Sequence, residues 1–144
     1  MKLSARVEYG VRAMAVLAIQ YREGPLPLRE IAGREGISFQ FLEQIFPDLR
    51  RAALIESFRG TKGGYMLARP PAEINVGDIV RAVEGPIVPV DCLAEGEPGD
   101  CCHRRAEGCL TRHVWERLRD RINEVLDEVS LADLIDCKPA GLIN

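Results

Sequence analysis

Between Leu28 and Ala68 the chain carries a succession that few folds accommodate: a short amphipathic segment (28–35), Gly36, a serine-led apolar-periodic segment, then two strand candidates around RGTKGG. Gly36 supplies the tight turn, because glycine adopts left-handed backbone without steric cost. Ser38 can cap a helix reaching about Ala53. Along it Phe41, Leu42, Ile45, Phe46 and Leu49 recur at three- and four-residue steps, which marks one buried face. Ser38, Gln40, Glu43, Gln44 and Arg50 are left facing outward. Helix, glycine turn and capped helix form the helix-turn-helix pattern, whose second helix enters the major groove of DNA. Amides and hydroxyls near the start of such a helix can read base edges. Any helical hairpin exposes polar residues, so the next stretch matters. LIESF (54–58) and YMLA (65–68) predict a hairpin, with Arg59 and Lys62 at a tip made pliable by Gly60, Gly63 and Gly64. An ordinary exposed hairpin gives no reason for both charges to sit at the turn, whereas a wing lying along phosphates or reaching the minor groove does.

On either side the pattern is helical. Val7, Val11, Met14 and Ala18, with Leu17 and Tyr21, predict a helix over about 5–21 with Ser4 as N-cap. Glu8 lies off that stripe, four residues before Arg12, in the order that suits a surface ion pair worth ~0.3–0.5 kcal/mol. GPLPL (24–28) breaks this helix, and Pro70 and Pro71 keep 68–74 as a linker. VGDIVRAVEG (76–85) reads as a short helix with Val76, Ile79, Val80 and Val83 inward, expected to pack on the wing. Farther on, Val114, Leu118, Ile122, Val125 and Val129 form a narrow apolar seam suited to pairing with a second copy of the chain. A dimer places two recognition helices on one side of DNA, as a palindromic operator requires. SLADLID (130–136) is a short amphipathic tail, and Cys137 a bystander thiol. The expected fold is mainly α with a small β-hairpin: a winged helix-turn-helix domain over 1–85, a cysteine-rich loop over 86–111, and a dimerisation helix with its tail over 112–135.

That loop, from Cys92 into CLTRHVW, holds four of the five cysteines and both histidines. Soft ligands crowded where there is little apolar content point to a metal centre or a redox-active thiol patch. No apolar run approaches the ~20 residues that span a bilayer, and the N-terminus lacks the apolar stretch of a signal peptide. The expected location is therefore the cytoplasm, where cysteine clusters more often hold metal or sense redox state than pair as disulfides. The net charge of −3 hides an asymmetry: residues 1–70 carry 11 Lys/Arg against 7 Asp/Glu, the remainder 8 against 15. The basic half suits a polyanionic partner. There is no Cys-x-x-Cys pair, nucleotide-binding glycine fingerprint or Ser-His-acid set, so no enzyme is expected.

GISFQFLEQIF (36–46), RGTKGGY (59–65), CLTRHVW (109–115) and the opening MKLS resemble the Rrf-type bacterial regulators, from Met1 to about Ile135. The cysteine loop most resembles the iron–sulfur regulators of the IscR kind, with NsrR-like and CymR-like relatives. The resemblance implies a homodimeric winged-helix regulator, a repressor by preference, binding a double-stranded operator. It also implies an Fe–S cluster, 2Fe–2S ahead of 4Fe–4S, with the cluster-assembly machinery as a further partner and no membrane. Carried over by position, Cys92, Cys102 (or Cys101) and Cys109 are the cysteine ligands. Ser38, Gln40 and Gln44 face the major groove, Arg59 the minor groove, with Arg50 and Lys62 alongside, and Glu43 discriminates between operator classes by repelling DNA unless turned away.

Two departures bear on the ligands. The gaps between cysteines are eight and seven residues through Cys101, or nine and six through Cys102, wider than those regulators use. Where they place a His, at the third residue after the last cysteine, this chain has Arg112, whose guanidinium has no lone pair to give. The fourth ligand stays open between Glu8 (which in such relatives comes from the partner subunit), His113 or His103, and the other adjacent cysteine. Zinc accepts the same donors tetrahedrally, so a structural zinc loop, or a thiol-redox loop sensing cysteine status or nitric oxide, is the alternative.

Overall fold

The computed structural model describes residues 2–94 and 109–136. Helix α1 (Ala5–Ile19) starts at Ser4, whose hydroxyl accepts from the Val7 amide at 3.3 Å. It stops two residues short of the expected end because Tyr21 N–H turns to the Ala18 carbonyl, tightening the chain before Pro25. Helix α2 (Leu28–Glu35) closes on Gly36 in the left-handed region, φ +63°. Helix α3 (Phe39–Arg51) is capped by Ser38, which accepts from Phe41 N–H at 3.0 Å. Pro47 lies inside α3, where it removes one backbone bond at a cost of about 3 kcal/mol. Leu42, Ile45, Phe46 and Leu49 are all fully buried around it. Each such side chain contributes about 1.5–3 kcal/mol, so packing outweighs the break.

Strands β1 (Ile55–Phe58) and β2 (Gly64–Leu67) pair antiparallel, Ile55 opposite Leu67 and Phe58 opposite Gly64. A third backbone segment joins them. Leu26 exchanges hydrogen bonds with Tyr65, at 3.0 and 2.9 Å, so the wing is tied to the chain entering α2. Gly64 permits this approach: a Cβ there would run into the Leu26 carbonyl.

Helix α4 (Val76–Glu84) opens on a reciprocal capping box, Asp78 N–H to Asn75 at 2.7 Å and Asn75 N–H to Asp78 at 3.2 Å. Its Ile79, Val80 and Val83 are buried as expected, but its chief neighbour is α1, with α3 and α5 beside it, and not the wing. Val83 and Ile79 face Gly10 of α1. The α1–α3–α4 junction is fastened by Arg6, which pairs with Asp48 and donates to the Val83 carbonyl at 3.0 Å. The Glu8–Arg12 pair does not form. Arg12 instead caps the end of α2, bonding the Glu35 carbonyl and carboxylate, and lies over the Tyr9 ring. Two acceptors on a helix end and a π-face offer more than one solvated carboxylate.

Helix α5 (Arg112–Glu128) has α4 as its main partner within the chain and buries no residue fully. Val129, last of the apolar seam, is its cap and not part of it. The chain then returns to the domain. Val76 N–H meets the Val129 carbonyl at 2.8 Å, Leu131 N–H the Ile74 carbonyl at 2.9 Å, and α6 (Leu131–Asp136) packs on α1 with Leu131 fully buried. At the start of α6 the Ser130 amide and hydroxyl hold the Asp133 carboxyl below the usual carboxylate range, the backbone bond being the larger cause. Among the described residues no helix is long and apolar enough to cross a membrane.

Candidate DNA-reading face and cysteine segment

The outward face of α3 carries the residues expected there. Ser38, Gln40, Glu43, Gln44 and Arg50 are all exposed, and so are Arg59 and Lys62 between the wing strands. Ser38 uses its hydroxyl oxygen to cap α3, which leaves the hydroxyl proton available to an outside acceptor. Several scaffold cations are paired, while the cations of this face are not, as also at Lys2, Arg22, Arg69 and Arg117 among the described residues. Arg6, Arg12, Arg34, Arg51, Arg81 and Arg112 each have a carboxylate within 4.0 Å, whereas among the described residues Arg50, Arg59 and Lys62 have none. Cations left unneutralised on one side of a capped helix and its wing suit a polyanion that releases counterions on binding. Glu43 is likewise unpaired among the described residues, the one acidic side chain on that face of α3.

The cysteine segment begins after Gly85, whose φ of +87° turns the chain away from α4. Cys92 and Leu93 are buried in a single 3₁₀ turn, Asp91–Leu93. Cys109 is half-buried just before α5, its Sγ 3.2 Å from the Thr111 hydroxyl. Arg112 draws these two places together. Its Nη1 donates to the Cys92 carbonyl at 3.3 Å, its backbone amide approaches the Cys109 carbonyl at 3.4 Å, and Glu116 orients its Nε at 2.8 Å. The residue whose chemistry excludes it as a ligand is thus the one that fastens the base of the loop. That role has no periodic signature, and no local spacing signals it.

Cys101, Cys102 and His103 lie outside the described residues. His113 is exposed in the first turn of α5. Glu8 is exposed beside an apolar groove of about 530 Å³ lined by Leu3, Val7, Val11, Val76, Val80 and Leu126, with no cation paired to it among the described residues. Among the described residues, no three of the His, Cys, Asp and Glu side chains come together as a metal-holding group, so Glu8 and His113 do not join Cys92 and Cys109 within one chain. Thiols such as those of Cys92 and Cys109 are soft donors, of the kind that suit a soft metal or cluster drawing its remaining ligands from elsewhere.

A family model described as "Iron-dependent Transcriptional regulator", Rrf2, matches residues 3–137. The chain belongs to the Rrf2 family. Among Rrf2 relatives, it is 42% identical to the regulator CymR of Bacillus subtilis over 134 residues, 93% of this chain and 89% of that one. The solved CymR structure, described as that of the global cysteine regulator of B. subtilis, superposes with a TM-score of 0.77 at 40% identity, covering 96% of this chain and 98% of the other. It is 42% identical to IscR of Aliivibrio salmonicida over 135 residues, 94% of this chain and 77% of that one. The structure of T. potens IscR matches with a TM-score of 0.78 at 40% identity, covering 97% and 90%. As an Rrf2 protein the chain is a winged-helix DNA-binding transcription regulator and not an enzyme.

Proposed function

We infer that this regulator acts as a homodimeric repressor whose operator choice depends on an iron–sulfur cluster, 2Fe–2S in preference to 4Fe–4S, held by residues 86–111. The observation that carries this reading is the bond from Arg112, at the start of α5 and three residues after Cys109, back to the Cys92 carbonyl, which joins the two ends of the cysteine segment. Cys92, Cys109 and Cys102 (or Cys101) are the proposed thiolate ligands. Glu8 of the partner subunit is the preferred fourth ligand, with His113 and His103 as alternates. A cluster bound there supplies a crosslink sensitive to redox state and ligand loss.

Residues 1–85 serve as the reader and 112–135 as the dimerisation helix and tail. The seam supports pairing: Val114 is 51% and Val125 60% exposed. Val125 and Asn123, two residues apart on a helix of 3.6 residues per turn, point about 160° away from each other. Asn123 faces α4 through Arg81, so Val125 is turned away from α4, as pairing with a second chain requires. Ser38, Gln40 and Gln44 read the major groove, Arg59 the minor groove, and Arg50 and Lys62 contact phosphate. Glu43 penalises operators that leave it no room to turn away. A change at the loop base reaches α3 through α5 and α4, with a coupling of about 1–3 kcal/mol.

The test is an anaerobic absorption spectrum with iron, sulfide and zinc analysis. Visible bands with matching iron and sulfide, lost in C109A while fold and dimer persist, support the cluster. A colourless chain with one zinc leaves a regulator with a structural clip. The second reading, thiol-based sensing without a metal, is favoured by the likeness to CymR, which equals that to IscR. It predicts a metal-free chain whose DNA affinity responds to thiol oxidation.

A further inference from the structure

Arg29 stands apart from the cations already placed. It lies in the first turn of α2, exposed, with its guanidinium carbon 4.3 Å from the centroid of the Phe39 ring. Phe39 is the first residue of α3, between the capping Ser38 and the outward Gln40. Its sequence neighbour Glu30 is already engaged by Arg34 at 2.7 Å. Among the described residues no carboxylate lies within 4.0 Å of Arg29. The helix-turn-helix thus carries a cation that no acid neutralises, positioned on an aromatic shelf at the edge of the reading face.

Stacking on a ring engages the face of a guanidinium and leaves its N–H edge open. That edge matches the two oxygens of a phosphate, and the shelf removes much of the rotamer freedom that binding would otherwise have to remove. In helix-turn-helix docking the first helix crosses the DNA backbone while the second lies in the groove. Arg29 sits on that first helix and touches the second at its groove-entering end. We propose that Arg29, held on Phe39, is a phosphate clamp that sets the angle at which α3 enters the major groove. This rests on the winged-helix reading face, not on the cluster.

The test compares the full-length protein with R29A, R29K, F39L and R59A, each checked for thermal stability and dimerisation. The probes are a duplex enriched by the wild-type protein from a random pool and an unrelated duplex, titrated over a range of salt. R29A is expected to weaken both duplexes by a similar factor, roughly three- to thirtyfold. It should also flatten the log-affinity against log-salt slope by about 0.9 for each phosphate that is no longer neutralised. F39L keeps the charge and loses the shelf, so it should weaken binding less while preserving the slope. R29K should hold the slope but not the full affinity, because an ammonium cannot present the bidentate edge.

Several results overturn the proposal. One is R29A with unchanged affinity and slope while R59A binds weakly, which leaves a packing contact between helices and a reading face intact. Another is R29A that alters preference between the duplexes at unchanged slope, which makes the contact one to a base. If neither R29A nor R59A affects binding, the reading face itself is misplaced, a failure distinct from the first two.

Discussion

Arg81 of α4 donates to Asp127 of α5 at 2.5 Å and, through its other terminal nitrogen, to Asn123 at 3.0 Å. One side chain therefore fastens the last turns of the long helix to the domain. Both partners are partly solvated, so the pair is worth about 0.5–1 kcal/mol. A cycle of R81A, D127A and the double variant, followed by thermal unfolding, should return a coupling in that range. Amide exchange should quicken around 123–129 and remain unchanged in α3. No measurable coupling would mean that Leu126 and Leu131 hold the helix unaided.

Gly64 meets the Leu26 backbone where any Cβ would press on the carbonyl. The obstacle is main chain on both sides, which cannot swing away as a side-chain tip can. G64A should lose about 1–3 kcal/mol in urea unfolding. It should also weaken DNA binding, because the wing and the start of α2 share that bridge. Gly60, with φ +107° but nothing near its Cβ position, serves as the contrast. There the cost of G60A is conformational alone, and the Leu26–Tyr65 bridge should survive.

Removing the Arg112 guanidinium should loosen the base of the cysteine loop. In metal-free protein, alkylation of the buried Cys92 is expected to speed up roughly three- to tenfold in R112A, as befits loss of the partly exposed charged hydrogen bond to its own carbonyl. R112K should lie between. Equal rates in all three proteins would show that the 3₁₀ turn protects Cys92 without help.

Asp133 gives a pH signature. Its folded pKa lies below the unfolded value because the Ser130 amide and hydroxyl favour the carboxylate. The stabilisation is thus fully present above the unfolded pKa and disappears as pH falls through the folded one. Urea unfolding of wild type and D133N should differ by a constant amount above about pH 5 and converge only as the pH falls below the ordinary carboxylate pKa of about 3.9. A difference that stays constant down to acid would contradict the assignment.

Much of the reader was legible because its signals are local. A glycine at the required turn, a serine at the cap and a strong three-four apolar step specify α2 and α3 with no knowledge of what they pack against. What could not be read depends on partners distant in sequence. Arg12 sees Glu8 in the sequence but Glu35 in space. The apolar face of α4 was evident, yet periodicity does not say whether α1 or the wing covers it. Pro47 would ordinarily argue against a helix, and only the burial of Phe46 and Leu49 around it explains its tolerance. SLADLID reads as a tail; its Leu131 is buried as deeply as any residue of α3. The cysteine segment announces donors through composition, but the bond from Arg112 to the Cys92 carbonyl spans twenty residues and shows in no local pattern.

The stitch between 74–76 and 129–131 has a last consequence, for what changes of length the chain can absorb. It makes the chain from Gly85 to the end of α5 a detour between α4 and α6, both of which stand on the same core. Lengthening a segment between fixed ends costs little, about 0.6 kcal/mol for each doubling of a flexible loop. The length between those ends can therefore change while Ile74 and Leu131 keep the helices folded together. On this architecture the two ends of the detour are pinned and only its middle is free to vary.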